Sequence, residues 1–239
     1  SYENNPDTDF HQIVAEMAEI PRSQAKVINL GLFYGMGKGK LMNELDLTKE
    51  KADELFKKYH DNAPFVKQLT NKAMNAAANK GVIKTILGRR CRFPKYEPVL
   101  KGDDWGTYVS AEDEARMKEL QDMGPILKDF EDNIIKDKKG EPAKNYWHEN
   151  PTRRAFTYKA LNKLIQGSAA DMTKKAMVEL YKQGLLAHIQ IHDELDFSIP
   201  IGEKDNSKEI IKIMENSVDL EVPNKVDYES GPNWGEIEE

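Results

Sequence analysis

The sequence predicts an α+β protein in which a helical first part precedes a long helix flanked by antiparallel strands. Residues 21–81 place apolar side chains at helical spacing, between residues that favour helix starts and stops. Residues 154–183 carry an apolar stripe of the same kind. The next segment, AHIQIHDELDFSIP, alternates apolar and polar side chains as β-strands do. We therefore divide the chain into a mainly helical part, 1–150, and a mixed part, 151–239.

The first part contains three helices with recognisable ends. Pro21 is a residue favoured in the first helical turn, and RSQAKVINLGLFYG follows it as one helix. Thr48 is expected to cap the helix KEKADELFKKYH. Pro64 opens the next helix and Gly81 ends it. The predicted apolar positions of the helix after Pro21 are Val27, Leu30, Phe33 and Tyr34.

A short hairpin is predicted where VIKTIL and CRF flank Gly88-Arg89-Arg90. Residues 96–153 form a charge-rich insertion, in which we expect helices near 111–123 and 126–137 around the breaker Gly124-Pro125. The segment KDKKGEPAKN is expected to be an exposed loop. We expect no internal repeat anywhere in the chain.

The second part begins with the long helix over 154–183, which Gly184 ends. Its predicted apolar stripe consists of Leu161, Ile165, Ala169, Met172, Ala176 and Leu180. Two strands then surround His192-Asp193-Glu194, and a last helix is expected near 203–217.

Composition excludes several classes of protein. The chain has 239 residues, of which 39% are apolar and 32% charged, and no apolar run has the roughly eighteen residues of a membrane span. Cys91 is the only cysteine, so no intrachain disulfide forms and a reducing, cytoplasmic compartment is expected. A net charge of −6 argues against a uniformly basic nucleic-acid coat, but it is compatible with a local basic channel.

The glycine-rich stretch VINLGLFYGMGKGK is not a standard phosphate loop. Neither Gly37-Lys38 nor Gly39-Lys40 has the upstream glycine and the following hydroxyl residue of a P-loop, and the dinucleotide fingerprint also fails. This disfavours an unrelated NTPase. Arg22 and Lys26, one helical turn apart just before the glycines, can clamp an anion, or they can be two ordinary surface cations.

Two further groups of polar residues are open to two interpretations. Asp193 shares strand parity with Ile191 and Leu195, so it either requires a cation or several donors, or is a turn aspartate that bonds its own backbone. Asn162 and Gln166 lie one helical turn apart. Their amides can bind base edges and sugars of a nucleic acid, or they can belong to a solvent-exposed helix face.

Together these pieces resemble the family A (bacterial polymerase I-like) DNA polymerases. Arg22-x-x-x-Lys26, Leu30-Gly31 and Tyr34-Gly35 are similar to the fingers helix of that family. LNKLIQGSAAD is similar to its palm helix and QIHDEL to its third palm motif. KTILGRRCRFP resembles the segment that links fingers and palm in the family, and GPNWGE resembles the C-terminal end of the family's sequences. NNPDTDFHQ and the large insertion are closest in character to bacteriophage members, which implies a bacterial host cytoplasm.

The resemblance implies a fold of helical fingers, residues 1–150, and distal palm, residues 151–239. It also implies that Arg22 and Lys26 bind the triphosphate of an incoming deoxynucleotide, with Lys26 giving a proton to pyrophosphate. His11 would touch the same phosphates. The implied contacts with the nascent base pair are made by Tyr34 and Leu30.

The resemblance further implies a primer–template DNA site and a metal site. The implied DNA contacts are Asn162, Gln166, Gln190 and His192 along the minor groove and primer end, and Arg89 and Arg90 on backbone phosphate. Asp193, with Glu194 beside it, would bind the catalytic Mg²⁺ ions. The sequence departs from the family at Leu30, where the best-known members have an aromatic residue, and at Tyr158, where many have arginine.

A larger departure concerns the first palm motif, D-x-S-x-I-E, which is absent from this sequence. In the family this motif supplies the other metal-binding aspartate, and two-metal chemistry needs both. We therefore expect the chain to be one part of a split or fragmented polymerase, inactive without an upstream segment that carries the thumb and this motif. The alternative is a non-catalytic DNA-binding accessory subunit with polymerase architecture.

Overall fold

The computed structural model describes residues 9–18, 20–33, 36–100, 110–200, 202 and 205–236. Helices of these residues are α1 (Phe10–Ala18), α2 (Arg22–Phe33), α3 (Lys38–Leu45), α4 (Lys49–Asn62), α5 (Pro64–Lys80), α6 (Glu114–Asp122), α7 (Ala160–Lys182) and α8 (Ser207–Glu215). The strands are β1 (Val82–Lys84), β2 (Arg90–Arg92), β3 (Tyr96–Pro98), β4 (Thr152–Arg154), β5 (Ile189–Ile191) and β6 (Glu194–Asp196). They pair as β1–β2, β3–β4 and β5–β6, each antiparallel. This combination confirms the predicted α+β class.

The chain forms two compact units that interleave along the sequence. The first contains Ser1–Asn29, Thr85–Leu87 and Ile165–Glu239, and the second contains Leu30–Lys84 and Gly88–Leu164. The chain passes from one unit to the other within α2 and within α7, so the boundary proposed at residue 150 stays a prediction. None of the helices in the described ranges is both long and apolar enough to cross a membrane.

Helix ends in the second unit follow the capping residues in the sequence. The Thr48 hydroxyl accepts a hydrogen bond from the backbone N–H of Lys51 at 3.4 Å and begins α4. Pro64 opens α5, and Gly81 ends it with φ +65°. The left-handed backbone favours glycine at this position, and a Cβ there would also lie 2.7 Å from the guanidinium carbon of Arg154, so the arginine side chain would have to shift.

The buried face of α2 differs from the predicted one. Val27 and Leu30 are 39% and 46% exposed, whereas Ala25 and Ile28 are fully buried. A short helix with apolar residues on two sides buries the side that meets its packing partner, which periodicity alone does not identify. The predicted positions Phe33 (side chain) and Tyr34 lie outside the described residues.

Residues 127–150 consist of three consecutive eight-residue repeats, LKDFEDNI, IKDKKGEP and AKNYWHEN. Their first residues form a closed ring of backbone bonds: N–H of Ile135 to C=O of Leu127 at 3.0 Å, Ala143 to Ile135 at 2.8 Å, and Leu127 to Ala143 at 2.9 Å. The expectation of a chain without repeats is wrong. The helix predicted near 126–137 is also wrong, because these backbone groups bond between repeats rather than along a helix.

The third residue of each repeat fixes a turn. In the first two repeats it is Asp129 or Asp137, whose Oδ1 accepts backbone N–H bonds from two and four residues further on. In the third repeat it is Asn145, whose amide nitrogen donates to the carbonyl of Leu120, in the last turn of α6, at 2.6 Å. A carboxylate could not make this bond, so the third repeat needs asparagine. The buried core between these repeats and α6 consists of Ala111, Leu120, Leu127 and Trp147.

The long helix α7 begins later than predicted. Residues 152–154 pair with β3 instead, and Phe156 adopts a left-handed conformation with φ +60° that a helix cannot contain. Gly184, with φ +75°, follows the helix as predicted. Of the predicted apolar stripe, Leu161, Ala176 and Leu180 are buried.

The two predicted hairpins and the last helix are confirmed. β1 pairs with β2 in the register Ile83↔Cys91, and β5 pairs with β6 in the register Gln190↔Leu195. Cys91 is a free, half-buried thiol. α8 lies within the range expected from the sequence.

Candidate nucleotide and nucleic-acid site

Arg22 lies in the first turn of α2 and pairs with a carboxylate before α1. Its Nε donates to Oδ2 of Asp9 at 2.7 Å, while 56% of the Arg22 side chain stays exposed. This hydrogen bond, followed by a backbone bond from Gln12, holds the pKa of Asp9 below its usual range. Lys26, one turn further along α2, is exposed. The first unit therefore presents two cations on one helical face, as the sequence predicted.

His11 is held by a buried amide of the same helix. Its Nδ1 lies 3.0 Å from Nδ2 of Asn29, whose side chain is only 3% exposed. An amide nitrogen can only donate, so Nδ1 accepts and the proton of the neutral imidazole lies on Nε2. His11 can then donate to an anion through Nε2. Sequence reasoning missed Asn29, although an amide among the apolar residues of a helix is a recognisable signal.

The candidate base-pair contacts are only partly described. Leu30 is exposed on α2. Tyr34 lies outside the described residues.

The amides predicted to read DNA lie on α7. Asn162 is half-buried and Gln166 exposed. Just before α7, the exposed ring of Tyr158 is paired with a cation, since Lys159 Nζ lies 5.6 Å from its centroid. Lys159 Nζ also lies 5.1 Å from the ring of Phe156. Tyr158, the position at which the resemblance implies arginine, thus stands beside a cation.

Arg89 and Arg90 lie at the β1–β2 hairpin and are exposed. Arg90 is the first residue of β2 and pairs with Lys84. Two adjacent arginines and a lysine on one short hairpin favour contact with phosphate.

The β5–β6 hairpin brings the remaining candidates together. His192 and Asp193 form its two-residue turn, in which His192 has φ +53°. Gln190 donates from Nε2 to the carbonyl of His192 at 3.1 Å, which stabilises the turn. Asp193 and Glu194 are exposed. The apolar row expected beside Asp193 is not buried throughout, because Ile189 is 44% exposed.

Negative charge is concentrated around Glu194. Desolvation first, and then the carboxylates of Asp196, Glu229 and Asp193, raise the pKa of Glu194 above its ordinary value. Carboxylate oxygens are the ligands that Mg²⁺ prefers, so the donor type fits this ion. Within the described part of the chain, however, no three His, Cys, Asp or Glu side chains converge as a metal site. The hairpin can supply part of a magnesium site.

Sequence reasoning also missed a buried polar contact of α7. Asp171 on α7 is 8% exposed and accepts a hydrogen bond from the hydroxyl of Thr85. One turn earlier, Oγ of Ser168 accepts from the backbone N–H of Ile86 at 3.0 Å. These bonds attach Thr85–Leu87 to α7. The available signal was an aspartate inside a helix, where short polar side chains are disfavoured.

Comparison with known proteins identifies the family. The sequence model for DNA polymerase family A matches residues 5–236. The chain belongs to DNA polymerase family A. A DNA-directed DNA polymerase of Pseudomonas phage M6 is 32% identical over 98% of this chain and 32% of the relative. DNA polymerase I of Borreliella burgdorferi is 30% identical over 99% of this chain and 22% of the relative.

A solved polymerase domain has a similar fold. The POL domain of Pol1 from M. smegmatis, in complex with DNA primer-template and dNTP, superposes with a TM-score of 0.59 at 24% identity. The match covers 92% of this chain and 33% of that one. The family A chain described here therefore spans about a third or less of the length of these relatives.

Proposed function

We propose that this chain carries out template-directed DNA synthesis by nucleotidyl transfer, as the fingers and distal palm portion of a larger family A polymerase. The observation that carries this proposal is that the candidate triphosphate and metal residues belong to one compact unit. His11, Arg22 and Lys26 belong to the same unit as Asp193, although they are distant from it in sequence. The phage relative supports the cytoplasm of a bacterial host as the place of action.

The proposed triphosphate site consists of His11, Arg22 and Lys26. Arg22 presents a planar fork that matches phosphate oxygens, and its Nε bond to Asp9 leaves the terminal nitrogens for that task. His11 donates from Nε2 to the same phosphates. Lys26 stabilises the charge on the leaving pyrophosphate and gives it a proton. In this proposal Leu30 packs against sugar and base, and Tyr34 closes over the nascent base pair.

The proposed DNA contacts divide into two kinds. Asn162, Gln166 and Gln190 offer amide donors and acceptors to the minor groove, where readout is tolerant of sequence. His192 lies beside the primer end in this proposal. Arg89 and Arg90 bind backbone phosphate, which sets position rather than sequence.

Asp193, with Glu194 beside it, would hold Mg²⁺. When bound, a pair of such ions stabilises the attacking and leaving oxygens of the phosphoryl transfer. The carboxylates crowded around Glu194 support this assignment, because a cation would relieve their mutual repulsion. One aspartate with its neighbour does not complete a two-ion site, and the sequence contains no D-x-S-x-I-E motif.

We propose that a partner segment or subunit carrying the thumb and this first palm motif completes the enzyme. The two-stranded β5–β6 sheet, with an exposed Ile189, supports this proposal because isolated hairpins are marginally stable. Other large apolar side chains exposed in the first unit include Val178, Tyr181, Leu186 and Ile199. A surface of this kind fits a further polypeptide.

The lack of the first palm motif also favours a second candidate, a non-catalytic DNA-binding accessory subunit. The combination of Arg22, Lys26 and Asp193 argues for the enzyme, since DNA binding alone needs neither triphosphate nor metal groups.

The test is reconstitution on a labelled primer–template with Mg²⁺ and deoxynucleotides. We expect the chain alone not to extend the primer. Addition of a polypeptide that carries the thumb and the first palm motif should permit extension. The same mixture prepared with the Asp193→Asn variant should give none. Extension by the chain alone would contradict the need for a partner. A complex that forms and binds DNA but never extends the primer would favour the accessory subunit.

A further inference from the structure

We propose that Asp9 and Asn29 are positioning residues, which hold Arg22 and His11 ready to receive a triphosphate. The inference rests on the proposed function of Arg22 and His11, and it assigns the orientation of both to two residues that touch no substrate themselves. All four residues belong to the first unit.

Asp9 uses its two oxygens for different tasks. Oδ1 accepts the backbone N–H groups of His11 at 2.9 Å and Gln12 at 3.1 Å, which caps the start of α1. Oδ2 accepts Nε of Arg22 at 2.7 Å. One carboxylate therefore joins the start of α1 to the start of α2, and with it the His11 backbone to the Arg22 side chain.

The Nε contact has a directional consequence for Arg22. The guanidinium is planar with five N–H donors, and the bond at Nε fixes that plane while it uses one of the five. An arginine held in this way loses less conformational entropy when a phosphate arrives. Because the pKa of Asp9 is lowered, its carboxylate stays ionised across the neutral range.

Asn29 acts on His11 through the ring proton. The buried amide donates to Nδ1, so the neutral ring carries its proton on Nε2, the nitrogen on the other side of the ring. Without this bond the two tautomers would exchange, and part of the population would present an acceptor to an anion. Asn29 thus converts His11 into a dedicated donor.

A competing account gives Asp9 the opposite effect. If Asp9 merely occupies Arg22, its negative charge hinders an anion, and removal of that charge strengthens triphosphate binding. If Asp9 positions Arg22, removal weakens binding even though a repulsive charge has gone. The sign of the change therefore separates the two accounts.

The first experiment measures the His11 tautomer by ¹⁵N NMR of the intact chain without nucleotide, with His11→Gln used to assign the signal. We expect the Nε2–H form in the wild type and the Nδ1–H form in Asn29→Asp, whose carboxylate can only accept. Asn29→Ala is a second variant, for the case that a buried carboxylate in Asn29→Asp prevents folding. It should change the ratio of the two His11 tautomers about fivefold, as expected for one lost hydrogen bond. Asn71→Asp, an exposed change on α5, should leave it unchanged. An unchanged tautomer in both Asn29 variants would overturn the role of Asn29.

The second experiment titrates the intact chain with inorganic tripolyphosphate and follows binding by NMR. We expect Asp9→Asn, which retains an oxygen for the helix cap, to weaken binding about tenfold. Asp205→Asn, which changes the comparable acceptor before α8, should have little effect. Equal or tighter binding by Asp9→Asn would overturn the role of Asp9. A wild-type chain that binds no tripolyphosphate would instead contradict the proposed triphosphate site. The tautomer measurement needs no ligand, so it tests the effect of Asn29 on His11 independently of that site.

Discussion

Thr85 donates its hydroxyl hydrogen bond to the buried carboxylate of Asp171 across 86 residues of sequence. The bond attaches the turn after β1 to α7, and the backbone N–H of Ile86 adds a second attachment at Ser168. Arg89 and Arg90 follow this turn directly in the chain. A polar pair in the interior of the first unit thus holds the segment Thr85–Leu87, which belongs to that unit, against α7.

Thr85→Val removes the donor while it keeps the shape of the side chain. We expect the free energy of unfolding to fall by about 1–3 kcal/mol, because Asp171 is left as a buried carboxylate with one donor fewer. Thermal and urea unfolding measure this loss. Thr85→Ser, which keeps the hydroxyl, is the matched control and should lose less. Equal losses in both variants would show that the Thr85 methyl group, not the hydrogen bond, matters.

Asn145→Asp tests the asymmetry of the three repeats. The Asn145 amide donates to the carbonyls of Leu120 and Gly124, both at 2.6 Å, and an aspartate would place an ionised acceptor against those two acceptors. We expect a loss of stability of roughly 2–4 kcal/mol, measured by urea unfolding. Asp137→Asn makes the reverse change in the exposed second repeat, keeps the acceptor that its turn needs, and should change stability little.

Sequence reasoning succeeded where the determinant is local. Thr48 and Gly81 set helix ends through their own backbone and side-chain chemistry, so the sequence is sufficient to predict them. The Thr85–Asp171 bond joins residues distant in sequence, and the apolar periodicity of α2 does not identify which of its faces is buried. The later start of α7 depends on strand pairing by residues 152–154, which competes with their helical propensity.

The repeats of residues 127–150 were not recognised in the sequence because the three copies have diverged. Only the second and third positions are similar in all three, as Lys-Asp or Lys-Asn, while the third repeat exchanges exposed residues for the buried Trp147. The candidate site residues stay predictions, and Asp9 and Asn29 become visible only when α1 and α2 are placed together.

Glu194→Gln tests the concentration of charge at the β5–β6 hairpin. Because the folded state raises the pKa of Glu194, ionisation of this carboxyl opposes folding, and the stability it contributes in acid is lost as pH rises through that raised value. We expect Glu194→Gln to unfold at a higher temperature than the wild type at pH 7. The difference should vanish below the ordinary pKa of 4.5. Glu221→Gln, exposed in the same unit, is the control. A higher melting temperature for Glu194→Gln that persists at low pH would contradict the electrostatic explanation.

Lys26→Ala tests the proposed contact with the leaving pyrophosphate. Loss of one electrostatic stabiliser of a transition state costs about 2.7–4 kcal/mol, so the extension rate of the reconstituted enzyme should fall by about 10²–10³-fold. Primer–template affinity, measured by fluorescence anisotropy, should stay nearly unchanged. Lys72→Ala, an exposed cation on α5, controls for general charge effects. A rate loss below about threefold would return Lys26 to the role of a surface cation.

Asp193→Asn separates a structural turn residue from a metal ligand. Asp193 lies in an exposed turn and contributes to the negative charge that raises the pKa of Glu194, so its neutralisation should leave the metal-free chain equally stable or more stable. Nucleotide incorporation by the reconstituted enzyme should collapse, because a neutral amide neither holds Mg²⁺ against water nor balances the charge of a two-ion site. The two measurements are thermal unfolding without metal and single-nucleotide incorporation with Mg²⁺, with Asp205→Asn as the control. A variant that unfolds markedly earlier yet still incorporates nucleotide would make Asp193 a structural residue, since a metal ligand is expected to combine retained stability with lost activity.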